Sequence, residues 1–217
     1  MGKIIVIEGI EGSGKETQSK LLVEALNKMG IKAVEFSFPM YDTPTGKIFK
    51  ECILNNNNYF KEGYEALEPE LVCLYTAADR KYNIKRIEEY LKDDYIVVIN
   101  RYTSSNMANQ GSKYDNSEDR FYMYQWIDKL EYWLLKLPKP DYTILLNMPY
   151  KYNNQLSFNL TEADSRQEKV LLSYIELAGL YNWDIINPIV DFKMKSIEEI
   201  HGEIMKLLKD KGIISIK

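Results

Sequence analysis

The chain has 217 residues, room for one large domain or two small ones, and its 45% hydrophobic and 28% charged residues are those of a globular protein with a full core. Its 28 basic and 32 acidic side chains leave a formal charge of -4, which excludes a global cationic field for nucleic acid or acidic lipid, so an anionic ligand must be held by a local cluster. One histidine, His201, excludes a multi-histidine metal site, and two cysteines, Cys52 and Cys73, make no disulfide framework and suit a reducing compartment.

Lys3–Glu8 (KIIVIE) is a β-branched run that predicts a first strand, followed by a glycine-rich turn. The acidic residue ending that run stands where a secretory apolar core would have to continue, and no stretch approaches the ~18 apolar residues of a membrane span. A cytoplasmic protein with no membrane or nucleic-acid partner is expected. Leu21, Leu22, Ala25, Leu26 and Met29 form a helical stripe closed by Gly30. Lys32–Phe38 predicts a second strand stopped by Pro39. Asp42 to Leu54 predicts a helix with Asp42 or Thr43 as cap and Pro44 in the first turn. The asparagine run 55–58 reads as an exposed loop.

Leu67 to Leu91 is a long, mostly helical stretch, and Tyr95–Asn100 is apolar until its last residue, as a strand buried on both faces should be. Ser117 to Leu135 is helical and aromatic-rich. Asp141–Pro149 predicts another buried strand, 150–162 a mobile polar loop, and Arg166 to Asn182 a helix. A last strand, Asp184–Val190, precedes an amphipathic helix from Ser196 to Lys211. Strands alternate with helices and no linker divides the chain. The expectation is therefore an α/β fold in one domain, 1–217, with a five-stranded parallel sheet covered by helices on both faces.

Gly9 to Lys15 (GIEGSGK) satisfies the G-x-x-x-x-G-K spacing of a phosphate loop, and it lies after a strand and before a helix, as the mechanism requires. Gly9, Gly12 and Gly14 let the backbone approach a phosphate, while successive N–H groups and the positive helix end surround the anion. Lys15 supplies the full charge. Across positions 9–17, Gly9, Glu11, Gly12, Ser13, Gly14, Lys15, Glu16 and Thr17 are the candidate nucleotide-binding residues. Glu16 stands where a hydroxyl residue usually meets Mg²⁺. Three readings are open: Thr17 serves instead, Glu16 acts through a metal-bound water, or water and phosphate hold the metal.

Beyond this loop the chain resembles the nucleoside monophosphate kinases, and closely the thymidylate kinases among them. IEGIEGSGKETQSKLLVEAL is similar to that family's first strand, phosphate loop and first helix. FPMYDTPTGK, LYTAADR, NRYTSSNMANQGSK and LPKPDYTILLNMP resemble its later motifs, in order. The resemblance implies ATP- and Mg²⁺-dependent transfer of a phosphoryl group to dTMP, giving dTDP, by a homodimer with a short lid near 150–165. It implies that Lys15 holds the donor phosphates, that Arg101 bridges donor and acceptor phosphates, and that Arg80 contacts the acceptor nucleotide. Phe38 and Pro39 would line the acceptor pocket, and Tyr75 or Thr76 falls near the stacking position, where only Tyr75 has a π face. Ser105 and Asn106 are implied at the pyrimidine edge, although Ser105 also suits a helix cap. Glu11 is implied near the sugar hydroxyl or metal-bound water, and Gln110 in the pocket.

Three positions and the lid segment depart from the family pattern. Asn100 replaces an aspartate, Asn109 stands where an aromatic ring often packs against the deoxyribose, and Tyr41 stands where some members have arginine. The lid segment contains Lys151 but no arginine, leaving Arg166 just beyond it as the candidate lid cation. These departures open the alternatives of a dUMP or modified-pyrimidine kinase, or of a catalytically weakened nucleotide-binding module.

Overall fold

A computed structural model describes residues 2–54, 66–150 and 162–214. The asparagine run and most of the expected lid, Lys151 included, lie outside the described residues. Five strands form one parallel sheet: β1 (Lys3–Glu8), β2 (Ala33–Ser37), β3 (Ile96–Asn100), β4 (Tyr142–Leu146) and β5 (Asp184–Ile186), in the order β2-β3-β1-β4-β5. The strands read as continuous apolar runs because both sheet faces are covered; Ile4 to Ile7 are almost completely inaccessible. β1 lies in the middle and pairs on both edges, with Ile7 level with Asn100 of β3 and Glu8 level with Leu145 of β4.

The last strand is shorter than the expected Asp184–Val190. Proline has no N–H to give a ladder, and after β5 the chain passes Pro188 into an antiparallel ribbon of β6 (Ile189–Val190) and β7 (Lys193–Met194). Asp191 and Phe192 turn this ribbon with φ of 50° and 60°, the left-handed backbone that a two-residue hairpin of matching twist requires.

Helix α1 (Lys15–Lys28) and helix α7 (Ile197–Asp210) cover one face of the sheet, where Leu22, Leu26, Ile200, Ile204 and Leu208 pack against Ile5, Ile7, Val98 and Ile144. Helix α3 (Pro69–Lys92) covers the other face with Ile84 and Ile87 against Ile4, Val6, Val97 and Ile99. Beside it, α4 (Thr103–Gly111), α5 (Ser117–Asp128) and α6 (Glu162–Tyr181) close over Leu145 through Met107, Ala108, Met123, Tyr174 and Leu177. Helix α2 (Pro44–Phe49) begins at Thr43, whose hydroxyl accepts from the Gly46 amide at 3.4 Å. Gly46 is required there, since a Cβ would stand 1.9 Å from the Met40 carbonyl oxygen. The helix runs on as a π-helical turn over Lys50–Leu54, and α5 likewise continues as a π-helical segment, Lys129–Leu134.

Candidate active site

The carboxyl ends of β1 and β3 open into one cleft of about 890 Å³, at the side of a parallel sheet where ligands bind. The loop after β1 turns at Gly9, φ 153°, where a Cβ would meet Ser13 Oγ at 2.5 Å and the Leu146 carbonyl oxygen at 2.9 Å. It re-enters helix at Gly14, φ 87°. No side chain caps α1, so its first amides are turned toward whatever fills the loop. Lys15 is nearly inaccessible, and its ammonium donates to the Ile10 carbonyl at 2.8 Å. Burial, reinforced by the charge of Arg101, lowers its pKa to about 7 against the opposing pull of Glu8, Glu11 and Glu16.

Arg101 follows β3 with φ 66°, a left-handed backbone uncommon for a side chain of its size, and it lines the cleft. Behind it stands a carboxylate that sequence reasoning does not single out. Glu8, completely buried, accepts from the Tyr102 amide (3.0 Å), Ser104 Oγ (2.6 Å), Ser105 Oγ (2.6 Å) and Tyr174 OH (2.9 Å). In the sequence it reads as the polar end of a strand, and its partners lie 94 to 166 residues away, so only the fold reveals it.

The opposite wall carries the candidate acceptor residues. Phe38, Pro39, Thr76, Arg80, Asn100, Ser105, Asn106 and Asn109 line the cleft with Met40, Tyr41 and Tyr102. The segment after Pro39 is pinned by Asp79, which accepts from the Met40 amide at 2.9 Å, Thr45 Oγ1 at 2.8 Å and Asn83 Nδ2 at 3.0 Å. Neighbouring residues on a helix point about 100° apart, so Asp79 reaches this segment while Arg80 turns to α5's extension. There Arg80 makes a bidentate pair with buried Glu131, Nε to Oε2 at 2.6 Å and Nη2 to Oε1 at 2.5 Å, and Thr103 Oγ1 donates to the same Glu131 at 2.8 Å. Glu131, like Asp79 and Glu8, escapes sequence reasoning because its role exists only through a distant partner.

Several expected residues are placed differently. Tyr75 packs on the small cluster of Phe49, Ile53, Leu67 and Val72 and does not line the cleft, whereas Thr76 does. Of the two stacking candidates, the one facing the cleft has no ring. Ser105 lines the cleft while its hydroxyl donates to Glu8. Gln110 is buried away from the cleft lining, and Asn109 donates to the Ser105 carbonyl at 2.7 Å while still lining it. Glu16 lines the rim and pairs with Lys20 at 2.6 Å, and Thr17 is exposed outside the lining. Glu11 and Arg166 both line the cleft, Arg166 from the first turns of α6 with Gln167, Val170 and Tyr174. The amide oxygens of Asn100 and Asn106 are buried with no hydrogen-bond partner.

A central-strand phosphate loop, a buried lysine, an arginine at the end of the neighbouring strand and a polar cleft facing them define a P-loop phosphotransferase acting on nucleotides. The family model described as thymidylate kinase matches residues 7–204. Relatives named probable thymidylate kinase from Pyrococcus abyssi and Pyrococcus horikoshii are 32% and 34% identical, each over 96% of this chain and 96% of their own. The thymidylate kinase of Homo sapiens is 28% identical over 96% of this chain and 91% of its own. The solved thymidylate kinase of Candida albicans superimposes with a TM-score of 0.72 at 23% identity, covering 97% and 92% of the two chains. The chain belongs to the thymidylate kinase family, the enzymes that transfer the terminal phosphoryl of ATP to dTMP.

Proposed function

We propose that this chain phosphorylates dTMP at the expense of ATP, with Lys15 and the loop amides on the donor phosphates and Arg101 between donor and acceptor. The observation that carries the reading is that Arg101 lines the cleft close enough for its charge to act on the Lys15 ammonium buried beneath the phosphate loop, with Phe38, Pro39, Thr76, Arg80 and Asn106 forming the wall beyond. Phosphoryl transfer to a phosphate oxygen needs no histidine base. It needs alignment, and cations around the three equatorial oxygens. Arg166, on the cleft-facing side of α6, supplies a further cation to the same oxygens.

The donor set suits Mg²⁺ held chiefly by phosphates and water. Among the described residues no group of three or more acidic, histidine or cysteine side chains is arranged for a metal, and Mg²⁺ in kinase sites keeps several waters. The partnerless Oδ1 of Asn100, Glu11 at the loop and Glu16 at the rim are the acceptors that would meet metal-bound water. The ion would neutralise charge on the β- and γ-phosphates. A reducing, cytoplasmic setting agrees with the free thiols of Cys52 and Cys73. A homodimer is proposed from the likeness to the family, and the exposed Leu74 and Tyr82 on α3 and Phe121 and Tyr122 on α5 are apolar side chains such an interface would cover.

A coupled assay of ADP release with ATP, Mg²⁺ and a panel of deoxynucleoside monophosphates tests the function. dTMP is expected to give the highest kcat/KM, and a folded protein that leaves dTMP unphosphorylated refutes the reading. The same panel separates dTMP from dUMP as acceptor, and sedimentation velocity reads the dimer.

A further inference from the structure

Glu8 has no part in the function proposed above, yet it is a completely buried acid with four donors, one of them the amide next to Arg101. An ionised carboxyl offers about four acceptor positions, and all are taken by donors from two separate pieces of chain, residues 102–105 and helix α6. The Tyr102 amide, immediately after Arg101, and Ser104 Oγ meet Oε1. Ser105 Oγ and Tyr174 OH meet Oε2, and those two hydroxyls lie 3.1 Å from each other. Glu8 itself ends the central strand one residue before the phosphate loop, and Ile7 is level with Asn100, so the acid lies alongside Arg101.

Arg101 occupies left-handed backbone, a state that persists only when its surroundings over-determine it. The bond from the following amide to Glu8 is the contact that fixes the peptide on its carboxyl side. The fourth partner, Tyr174, lies on α6 two turns beyond Arg166, and both line the same cleft. One carboxylate therefore ties the root of the donor loop, the arginine-bearing turn and the arginine-bearing helix together. It also places a buried negative charge beside two cations that repel each other, Lys15 and Arg101.

We propose that Glu8 is a positioning residue for phosphoryl transfer, holding the turn after β3 and helix α6 so that Arg101 and Arg166 face the transferring group together. The inference rests on the phosphotransferase reading and deepens it. Glu8 is walled off from the cleft by its own donors, so it acts through Arg101 and touches no nucleotide. Its removal should then disturb the transition state, where the charge on the transferred group is met, more than ground-state binding.

The test is steady-state kinetics of Glu8→Gln, Tyr174→Phe and Arg101→Ala, alone and with the first and third combined. Glu8→Gln keeps the shape but replaces one acceptor oxygen with an NH₂ facing hydroxyls, and kcat is expected to fall about 30- to 300-fold with KM for ATP and dTMP within about threefold. Tyr174→Phe, which removes one donor and keeps the ring, is expected to lower kcat about three- to tenfold, again with unchanged KM. In the Arg101→Ala background the Glu8→Gln effect should shrink to less than about tenfold, since only Arg166 is then left for Glu8 to position. A purely structural role predicts equal losses in both backgrounds or a rise in KM without loss of kcat, and either outcome overturns the proposal. Should Glu8→Gln not fold, an unchanged kcat in Tyr174→Phe overturns it alone. Parent protein that turns over dTMP beside variants of equal kcat fails this inference, whereas a parent with no turnover fails the functional reading.

Discussion

Replacing Glu131 with glutamine isolates the buried ion pair under the acceptor wall. Glu131 is fully inaccessible and Arg80 4% exposed, and the pair is bidentate at 2.5 and 2.6 Å. Glutamine can still accept from Thr103 Oγ1 and from one guanidinium N–H, so little shape is lost. The charge is lost, and Arg80 is left as a cation with no compensating anion in the protein interior. Burial acts against its charged form and Glu131 is what opposes that. Breaking one side of such a pair costs about 3–5 kcal/mol, which for a chain of this size is a fall in Tm of about 6–20 °C. Thermal and urea unfolding followed by circular dichroism measure this directly. A second variant, Arg80→Met with Glu131→Leu, removes both charges and should return stability to within about 1–2 kcal/mol of the parent. Its affinity for dTMP should stay at least about tenfold weaker, because Arg80 also lines the cleft. A loss below about 1 kcal/mol in Glu131→Gln would refute the reasoning. So would a double variant no more stable than the single one.

Arg101→Ala should lower kcat by about a thousandfold or more, and a loss below about tenfold, ~1.4 kcal/mol, would place Arg101 away from the reacting phosphates. Lys15, whose pKa burial brings down to about 7, is charged below that pH and loses its charge as pH rises through it. Calorimetry on unliganded protein should therefore show ATP binding weakening by about tenfold or more from pH 6.5 to 8.5, with the dependence flattened in Lys15→Ala. Ser196→Ala removes the hydroxyl that accepts from the Glu199 amide at 3.1 Å in the capping box of α7. It should cost about 1 kcal/mol of stability, read by urea unfolding, and leave both KM values unchanged.

The elements visible in the sequence are those whose own residues carry the signal. β1, β3 and β4 are apolar because both faces are covered, and Gly9, Gly14 and Lys15 declare a phosphate loop through spacing alone. Helix α4 is not legible in the sequence because TSSNMANQG has almost no apolar stripe; what stabilises it is burial of its polar groups against Glu8 and Glu131. The stacking position is ambiguous between Tyr75 and Thr76 because adjacent helical residues differ only in facing, and facing is fixed by the cluster of Phe49, Ile53, Leu67 and Val72 that takes the tyrosine. Ser105 suits a base contact equally well on paper: its hydroxyl fits either partner, and Glu8 is 97 residues earlier in the chain. Residues that answer to a distant carboxylate leave no local mark.

The position of β1 has a mechanical consequence. Central in the sheet and bonded along both edges, it is held by two ladders where the outermost strands have one, and the phosphate loop and Glu8 are rooted in it. Two parts of the cleft lining hang instead on the sheet's outermost strands: the segment after Pro39 follows β2, and α6 leads into β5. The molecule is thus built like a vice with a fixed bed and jaws on the margins. Adjustment to two bound nucleotides is left to the margins, where fewer ladder bonds must open, while the reacting atoms keep a stationary reference through every turnover.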